Sequence, residues 1–208
     1  MATGVAAMQR PMWRGPKRLP RTCARLPLEG LSKKRLLHYP VGTMKPSTEQ
    51  ATKERYLLDL EGVDFENPWA GVEEIEAVNP HRGQMRQLDK VVWWNENRTA
   101  AIGVKDVRDD EFWVTGHIPG RPLFPGVLQI ECGAQLSSFV LAERFADAPF
   151  VGFTRVTDCS FRGQVVPGDT LILFTKEVKV NRRRFITNTQ GIVNGKIVFE
   201  AQITGMVF

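Results

Sequence analysis

At 208 residues the chain is long enough for one ordinary domain with a sizeable core plus an extension. Its 42% apolar content fits a globular protein, and no run of about 18 apolar residues occurs, so a membrane span is not expected. The net charge of +5 hides a split: residues 1–46 hold ten Lys or Arg against the single acid Glu29, leaving 18 basic and 22 acidic groups in the remainder, and a basic tail on a mildly acidic body is not a nucleic-acid-binding fold.

Residues 1–46 are rich in Arg, Pro, Gly and Lys without a sustained apolar period, and a disordered extension is expected there. The Arg-rich, nearly acid-free composition also suits a targeting peptide, against which stand the scarcity of serine and the interruptions at Pro11, Pro16, Pro20 and Pro27. Met44 as the true initiator is a third reading. The expected location is the cytoplasm, or an organelle if the tail is a transit peptide. Three widely spaced cysteines, Cys23, Cys132 and Cys159, give no disulfide framework and no zinc spacing, which fits a reducing compartment.

Residues 47–70 read as an arm. Ser47-Thr-Glu-Gln can cap a short helix reaching residue 60, and Asn67-Pro68 marks a turn. A second short helix is expected over 71–78, stopped before Pro80. The main domain, 71–208, continues with strands over 88–94 and 99–105 around a turn at 95–98. Residues 111–115 form an aromatic and β-branched run that delivers the chain to Gly116 and puts His117 on a strand end. A long helix follows over 126–145, with Pro125 just before its start. Val127, Leu128, Ile130, Ala134, Leu136, Phe139, Val140 and Leu141 spread round its circumference, which predicts burial. Five strands complete the chain, over 151–157, 159–166, 171–180, 184–193 and 196–208. Asn194-Gly195 between the last two is a type I′ hairpin signal. One buried helix within a long antiparallel sheet is an α+β arrangement.

The candidate chemistry lies in His117-Ile-Pro-Gly-Arg-Pro-Leu-Phe-Pro-Gly-Val-Leu-Gln-Ile-Glu131. Pro119, Pro122, Pro125 and Gly120 reverse the chain, which can bring the histidine over the first helical turn. Histidine suits proton transfer near neutral pH. A glutamate in an apolar helix is desolvated, which favours its protonated form and makes Glu131 a candidate acid. Gln135, one turn on, can orient it. The N–H groups of Gly126 and Val127, backed by the helix dipole, can hold a developing oxyanion. Taken singly, a histidine is more often structural and a helix glutamate more often solvated; the combination suits proton abstraction next to a carbonyl.

The spacing His-Xaa-Pro-Xaa-Xaa-Pro-Xaa-Xaa-Pro-Gly-Val-Leu-Xaa-Xaa-Glu, followed by Xaa-Xaa-Ala-Gln, resembles the signature of the 3-hydroxyacyl-(acyl-carrier-protein) dehydratases of fatty acid synthesis. Pro80-His81-Arg82 with Leu88-Asp89, the segment Phe161-Arg-Gly-Gln-Val-Val-Pro-Gly-Asp169 with Leu171, and Arg183-Arg184 with Gly195-Lys-Ile-Val-Phe-Glu-Ala201 extend the similarity over residues 71–208. The resemblance implies a hot-dog fold, an antiparallel sheet wrapped round one long helix. It implies dimers or trimers of dimers with the site between subunits, an acyl carrier protein as partner, and no cofactor or metal. His117 would take the proton from C2 of a (3R)-3-hydroxyacyl thioester, Glu131 would assist loss of the C3 hydroxyl, and the Gly126 N–H would polarise the thioester carbonyl. Glutamate at 131, not aspartate, is similar to the type that only dehydrates. Arg121, Arg155, Arg162 and Arg182 to Arg184 are candidates for carrier docking.

Departures from the pattern occur at Ile118, at Cys132-Gly133, at 83–87 and at 152–158, and they bear on chain length more than on chemistry. The rival readings are a hot-dog acyl thioesterase and a non-catalytic acyl-thioester-binding subunit.

Overall fold

The structure is a computed structural model, and it describes residues 56–145 and 150–208. The basic tail and the capping segment 47–55 lie outside the described residues, and with them the expectations for disorder, targeting and a capped helix start.

A short helix α1 (Val72–Val78) ends at Asn79, ahead of Pro80 as expected, and Glu74 caps it by accepting from the Gly71 N–H at 2.9 Å. Strands β1 (Lys90–Trp94) and β2 (Ala100–Asp106) pair antiparallel, and the long helix α2 (Gly126–Leu141) follows. Then come β3 (Val151–Phe161), β4 (Thr170–Asn181), β5 (Arg184–Val193) and β6 (Lys196–Val207). The six strands form one antiparallel sheet in the order β1-β2-β4-β5-β6-β3, across which α2 packs. This is the α+β layout expected from one buried helix among strands.

The central strands bury both faces, and their period of two sorts the side chains. Ala101, Leu171, Leu173, Val193 and Phe199 join Cys132, Leu136, Phe139 and Val140 of α2 in the main core. Ile102, Val104, Ile172, Phe174 and Ile192 form a second cluster, covered by Tyr56, Leu57, Leu60, Val63 and Phe65 of the arm. The helix lies close to the sheet because glycines allow it. A Cβ on Gly103 of β2 would sit 2.8 Å from Leu88 and 3.0 Å from Leu136. A Cβ on Gly133 of α2 would sit 2.7 Å from Thr189 Oγ1. Beside Gly133, Ser137 bonds the hydroxyls of Thr175 at 2.7 Å and Thr187 at 2.9 Å, tying the helix to β4 and β5.

Five expectations need correction. Residues 56–60 are not helical: Tyr56 gives its hydroxyl hydrogen to Gly195 O at 2.6 Å and Leu57 N donates to Gln190 Oε1 at 2.8 Å, so contacts with the sheet hold this segment in place of a helical ladder. The long helix is α-helical only to Leu141 and tightens to a 3-10 turn over Ala142–Phe145. It is also not buried all round, since Val127 is 73% exposed in the single chain. The strands expected over 151–157 and 159–166 are one strand with an irregularity between Thr157 and Ser160, where Asp158 takes φ +50, and it ends at Phe161. Finally, His117 is on no strand. Residues 111–120 form successive turns, because Glu111, Trp113 and Ile118 bond the nearby backbone instead of a sheet neighbour. By contrast, Asn194 at φ +49 and Gly195 at φ +70 make the expected hairpin turn.

Candidate functional site

The loop carrying His117 is anchored at both ends of its turn. The His117 N–H donates to Trp113 O at 2.7 Å, and the His117 carbonyl accepts from Leu123 N at 2.9 Å. Trp113 is itself buried, tilted against Phe124 with ring centroids 5.4 Å apart, and its indole N–H donates to Glu111 Oε2 at 3.1 Å. Glu111 also accepts from Arg108 N at 2.9 Å and from Lys105 Nζ at 2.9 Å. One buried carboxylate therefore gathers two donors from the loop and one from β2.

His117 Nδ1 lies 2.7 Å from Leu123 O. A carbonyl oxygen only accepts, so Nδ1 carries the hydrogen in this contact, and Nε2 of the neutral ring is left with its lone pair as a base. The same turn brings His117 to the residues just before Gly126, the first residue of α2. The N–H groups of Gly126 and Val127 belong to the first helical turn and have no intrahelical acceptor, as an oxyanion hole requires. The Phe161 ring stands over Gly126, where a Cβ would come within 2.7 Å of it, so the backbone here is approachable only because this residue is glycine.

Glu131 is five residues into the helix, which turns its direction by about 140° from that of Gly126. Its side chain meets a different set of residues. Gln135 Nε2 donates to Glu131 Oε1 at 2.8 Å, the orienting contact expected from their spacing. Gln135 is fixed in turn by Met85 O at 2.7 Å and by the N–H groups of Gln87 at 2.9 Å and Leu88 at 3.3 Å. The departing segment 83–87 thus clamps the glutamine that orients the glutamate. Asn79, also buried, donates to Gln135 O at 2.9 Å.

The second partner of Glu131 was not assigned from the sequence. His81 Nε2 stands 3.2 Å from Glu131 Oε1. Pro80-His81-Arg82 was the available signal, but nothing in residue spacing says that a side chain fifty residues upstream meets α2. The contact reverses the expected charge state of the acid. The hydrogen bond from His81 holds the Glu131 carboxyl below its ordinary value, outweighing burial, which pushes it up; Gln135 adds to the lowering. Glu131 is therefore an ionised group in the free chain. Its neighbour Cys132 is fully buried, and burial pushes that thiol far up, so it is no nucleophile.

His81, Glu131 and Gln135 open onto a cleft walled by Ala134, Ser138, Phe153, Phe185 and Ile203. An apolar trough with a few polar groups at one end is the general form of a small-molecule site. His117, Gly126 and Val127 do not line it. A single chain thus presents two half-sites, a base beside a helix N-terminus and a carboxylate at the head of an apolar cleft, and it does not bring the two together. No helix among the described residues is long and apolar enough to cross a membrane.

A family model described as a FabA-like domain matches residues 79–202. The 3-hydroxyacyl-(acyl-carrier-protein) dehydratase FabZ of Clostridium acetobutylicum is 37% identical over 139 residues, covering 65% of this chain and 96% of that protein. The protein of the same name from Brucella abortus is 34% identical over 142 residues, 66% of this chain and 88% of its own length. Among solved structures, the dehydratase heterocomplex ApeI:P from Xenorhabdus doucetiae aligns with a TM-score of 0.56 at 11% identity, over 64% of this chain and 90% of that chain. A mutant thioesterase from Pseudomonas aeruginosa aligns at 0.52 and 12% identity, over 67% and 94%. At such identities these two support the fold alone.

Proposed function

The chain belongs to the FabA-like domain family, and from that premise we propose that it dehydrates (3R)-3-hydroxyacyl-(acyl-carrier-protein) thioesters to trans-2-enoyl thioesters and water in fatty acid or related lipid synthesis. The observation that carries this reading is His117, whose Nδ1 is committed to Leu123 O so that Nε2 is free to act as a base. His117 takes the C2 proton, made acidic by the adjoining thioester. The Gly126 N–H, helped by Val127 and the positive end of α2, accepts the charge that develops on the thioester oxygen. Glu131, oriented by Gln135, faces the C3 hydroxyl, and the acyl chain lies along Ala134 and Ser138. A glutamate in this place fits dehydration without isomerisation of the double bond.

Because the base and the carboxylate lie in separate half-sites of one chain, the working site requires a second copy. Exposed apolar side chains stand beside both: Ile118, Val127 and Phe161 near the histidine half-site, and Phe153, on the edge strand β3, in the cleft of Glu131. Their burial against a partner supports a dimer in which His117 of one subunit meets Glu131 of the other. The acyl carrier protein is the partner that delivers the substrate, and the arginines at 182–184, on the β4–β5 hairpin, are the docking candidates. The cytoplasmic assignment and its organellar alternative both turn on residues outside those described.

Incubation with a 3-hydroxyacyl thioester tests the reading. Growth of enoyl absorbance is the expected result; release of free thiol instead would make the protein a thioesterase, and neither product would leave a non-catalytic binding subunit. His117→Ala should lose activity while remaining a dimer, and Glu131→Gln should lose at least about a hundredfold, the usual cost of removing a positioned proton-transfer group. Unchanged turnover in His117→Ala sinks the mechanism.

A further inference from the structure

The departing hydroxyl must leave with a proton, yet the group facing it is held ionised. Glu131 Oε1 accepts from both Gln135 and His81, and its carboxyl lies below the ordinary range. Alone near neutral pH, that carboxylate has no proton to give. The nearest carrier is the ring that touches it. His81 lines the same cleft, with Nε2 at 3.2 Å from Glu131, while its Nδ1 is shut from solvent and has no hydrogen-bond partner among the described residues. A proton on Nε2 therefore has Glu131 as its neighbouring acceptor. Of the residues lining the cleft, His81 and Glu131 are the two with ionisable side chains; β3, β5 and β6 contribute apolar faces such as Phe153, Phe185 and Ile203. On the histidine's own loop, the Arg82 guanidinium is engaged by the carbonyls of Asn79, His81 and Glu76, and Arg86 by the carboxylates of Glu76 and Asp89.

We propose that His81 and Glu131 act as one proton-holding pair, in which the histidine carries the proton that the departing hydroxyl takes. This rests on the dehydratase reading. In the forward direction the C2–H bond breaks, its proton goes to His117 Nε2, and its electron pair becomes the C2=C3 double bond. The C3–O bond breaks with its pair on oxygen; the hydroxyl takes the proton shared across the Nε2 to Oε1 contact and leaves as water, and the pair passes from imidazolium and carboxylate to neutral imidazole, its remaining hydrogen on Nδ1, and carboxylate. His117 then returns its proton to the pair through solvent, so turnover consumes none. His81 sets the protonation of Glu131, while Gln135 sets its direction.

The test compares the wild type with His81→Gln and His81→Ala in the full chain, measuring kcat and KM on a 3-hydroxyacyl thioester from about pH 5 to 9, the range in which such groups titrate. The amide of His81→Gln can keep an N–H on Oε1 but brings no titratable proton. The expected result for His81→Gln is a KM within about twofold, a kcat at neutral pH lowered at least tenfold, and an alkaline limb of kcat displaced to lower pH, so that activity recovers on acidification. In a carbon-13 titration, the Glu131 carboxyl midpoint should rise in His81→Gln, because the hydrogen bond that lowers it most is from the histidine. A uniform fall in kcat with both limbs in place would make His81 merely structural and overturn the proposal, as would an unmoved Glu131 midpoint. Should His81→Ala misfold, the glutamine variant carries the test alone. A wild type that forms no enoyl product overturns the dehydratase reading instead, and the carboxyl titration still decides whether the pair exists.

Discussion

Glu111 and Lys105 offer the sharpest test of how the His117 loop is held. Lys105 is 1% exposed, and its ammonium has Glu111 Oε1 at 2.9 Å and Asp89 Oδ2 at 3.6 Å. Glu111→Gln removes the nearer charge, leaving the lysine on a carboxylate already shared with Arg86 at 2.9 Å and Arg108 at 3.3 Å. If the amide oxygen still faces the lysine and Arg108 N, its NH2 faces the Trp113 indole N–H, donor against donor. Stripping one partner from a buried pair costs about 3–5 kcal/mol, so Glu111→Gln should lose that much. Lys105→Met should cost less, toward the lower bound, because the two N–H donors still satisfy Glu111 and two guanidinium groups still satisfy Asp89. The double variant should be more stable than the sum of the singles by roughly 1–3 kcal/mol. Urea unfolding measures all three, and Glu111→Gln should lower Tm by about 6–20 °C at 2–4 °C per kcal/mol for a chain of this size. A loss below about 1 kcal/mol in both singles, or a Lys105→Met more damaging than Glu111→Gln, would refute the view that this carboxylate gathers the loop.

Two further outcomes follow from the geometry. The folded-state carboxyl of Glu131 lies below its ordinary value near 4.5, so its ionised form contributes stability that is fully present above that value and is lost as pH falls through the folded value. His81→Gln should therefore flatten the acid side of the stability–pH curve, read by thermal melts between about pH 3 and 6; an identical acid limb in both proteins would contradict the lowered carboxyl. Gly133→Ala sets helix propensity against packing: alanine favours the helix by about 1 kcal/mol, but its Cβ falls 2.7 Å from Thr189 Oγ1, which is committed to Phe174 O at 2.8 Å. Overpacking of about 1–3 kcal/mol should win, giving net destabilisation in urea melts, and a more stable variant would show that the helix shifts freely over the sheet.

Much of the fold was legible because its signals are local. The apolar run after Pro125, the alternation within the strands and the Asn194-Gly195 turn each depend on residues a few positions apart. The helix starts at Gly126, the strands Lys90–Trp94, Ala100–Asp106, Thr170–Asn181, Arg184–Val193 and Lys196–Val207 lie close to where they were expected, and the hairpin turn forms as its dipeptide predicts. The errors came where a distant contact overrode a local preference. Residues 56–60 are non-helical because one face of β4 and β5 offers them Phe174, Ile192 and Gln190 to pack and bond against. Residues 111–117 form turns because Lys105 and Glu111 must pair inside the protein. The irregularity in β3 follows its register with β6, which no pattern in one strand reveals.

The candidate site divides in the same way. The sequence by itself determined which groups are present: a histidine, a proline-fixed turn, a glycine at a helix start, and a glutamate with a glutamine one turn later. Their spacing along one helix sufficed to predict the Gln135 to Glu131 bond. Only the tertiary structure decided the partner of Glu131, since His81 reaches it from fifty residues away, and with that partner the charge state. Desolvation can be read from apolar neighbours in the sequence, but it is opposed here by a hydrogen bond across the fold, and the hydrogen bond is the larger effect. The tertiary structure also gave the two groups different surroundings, since the cleft that Glu131 heads is lined from β3, β5 and β6 and from His81, and His117 is not among its residues.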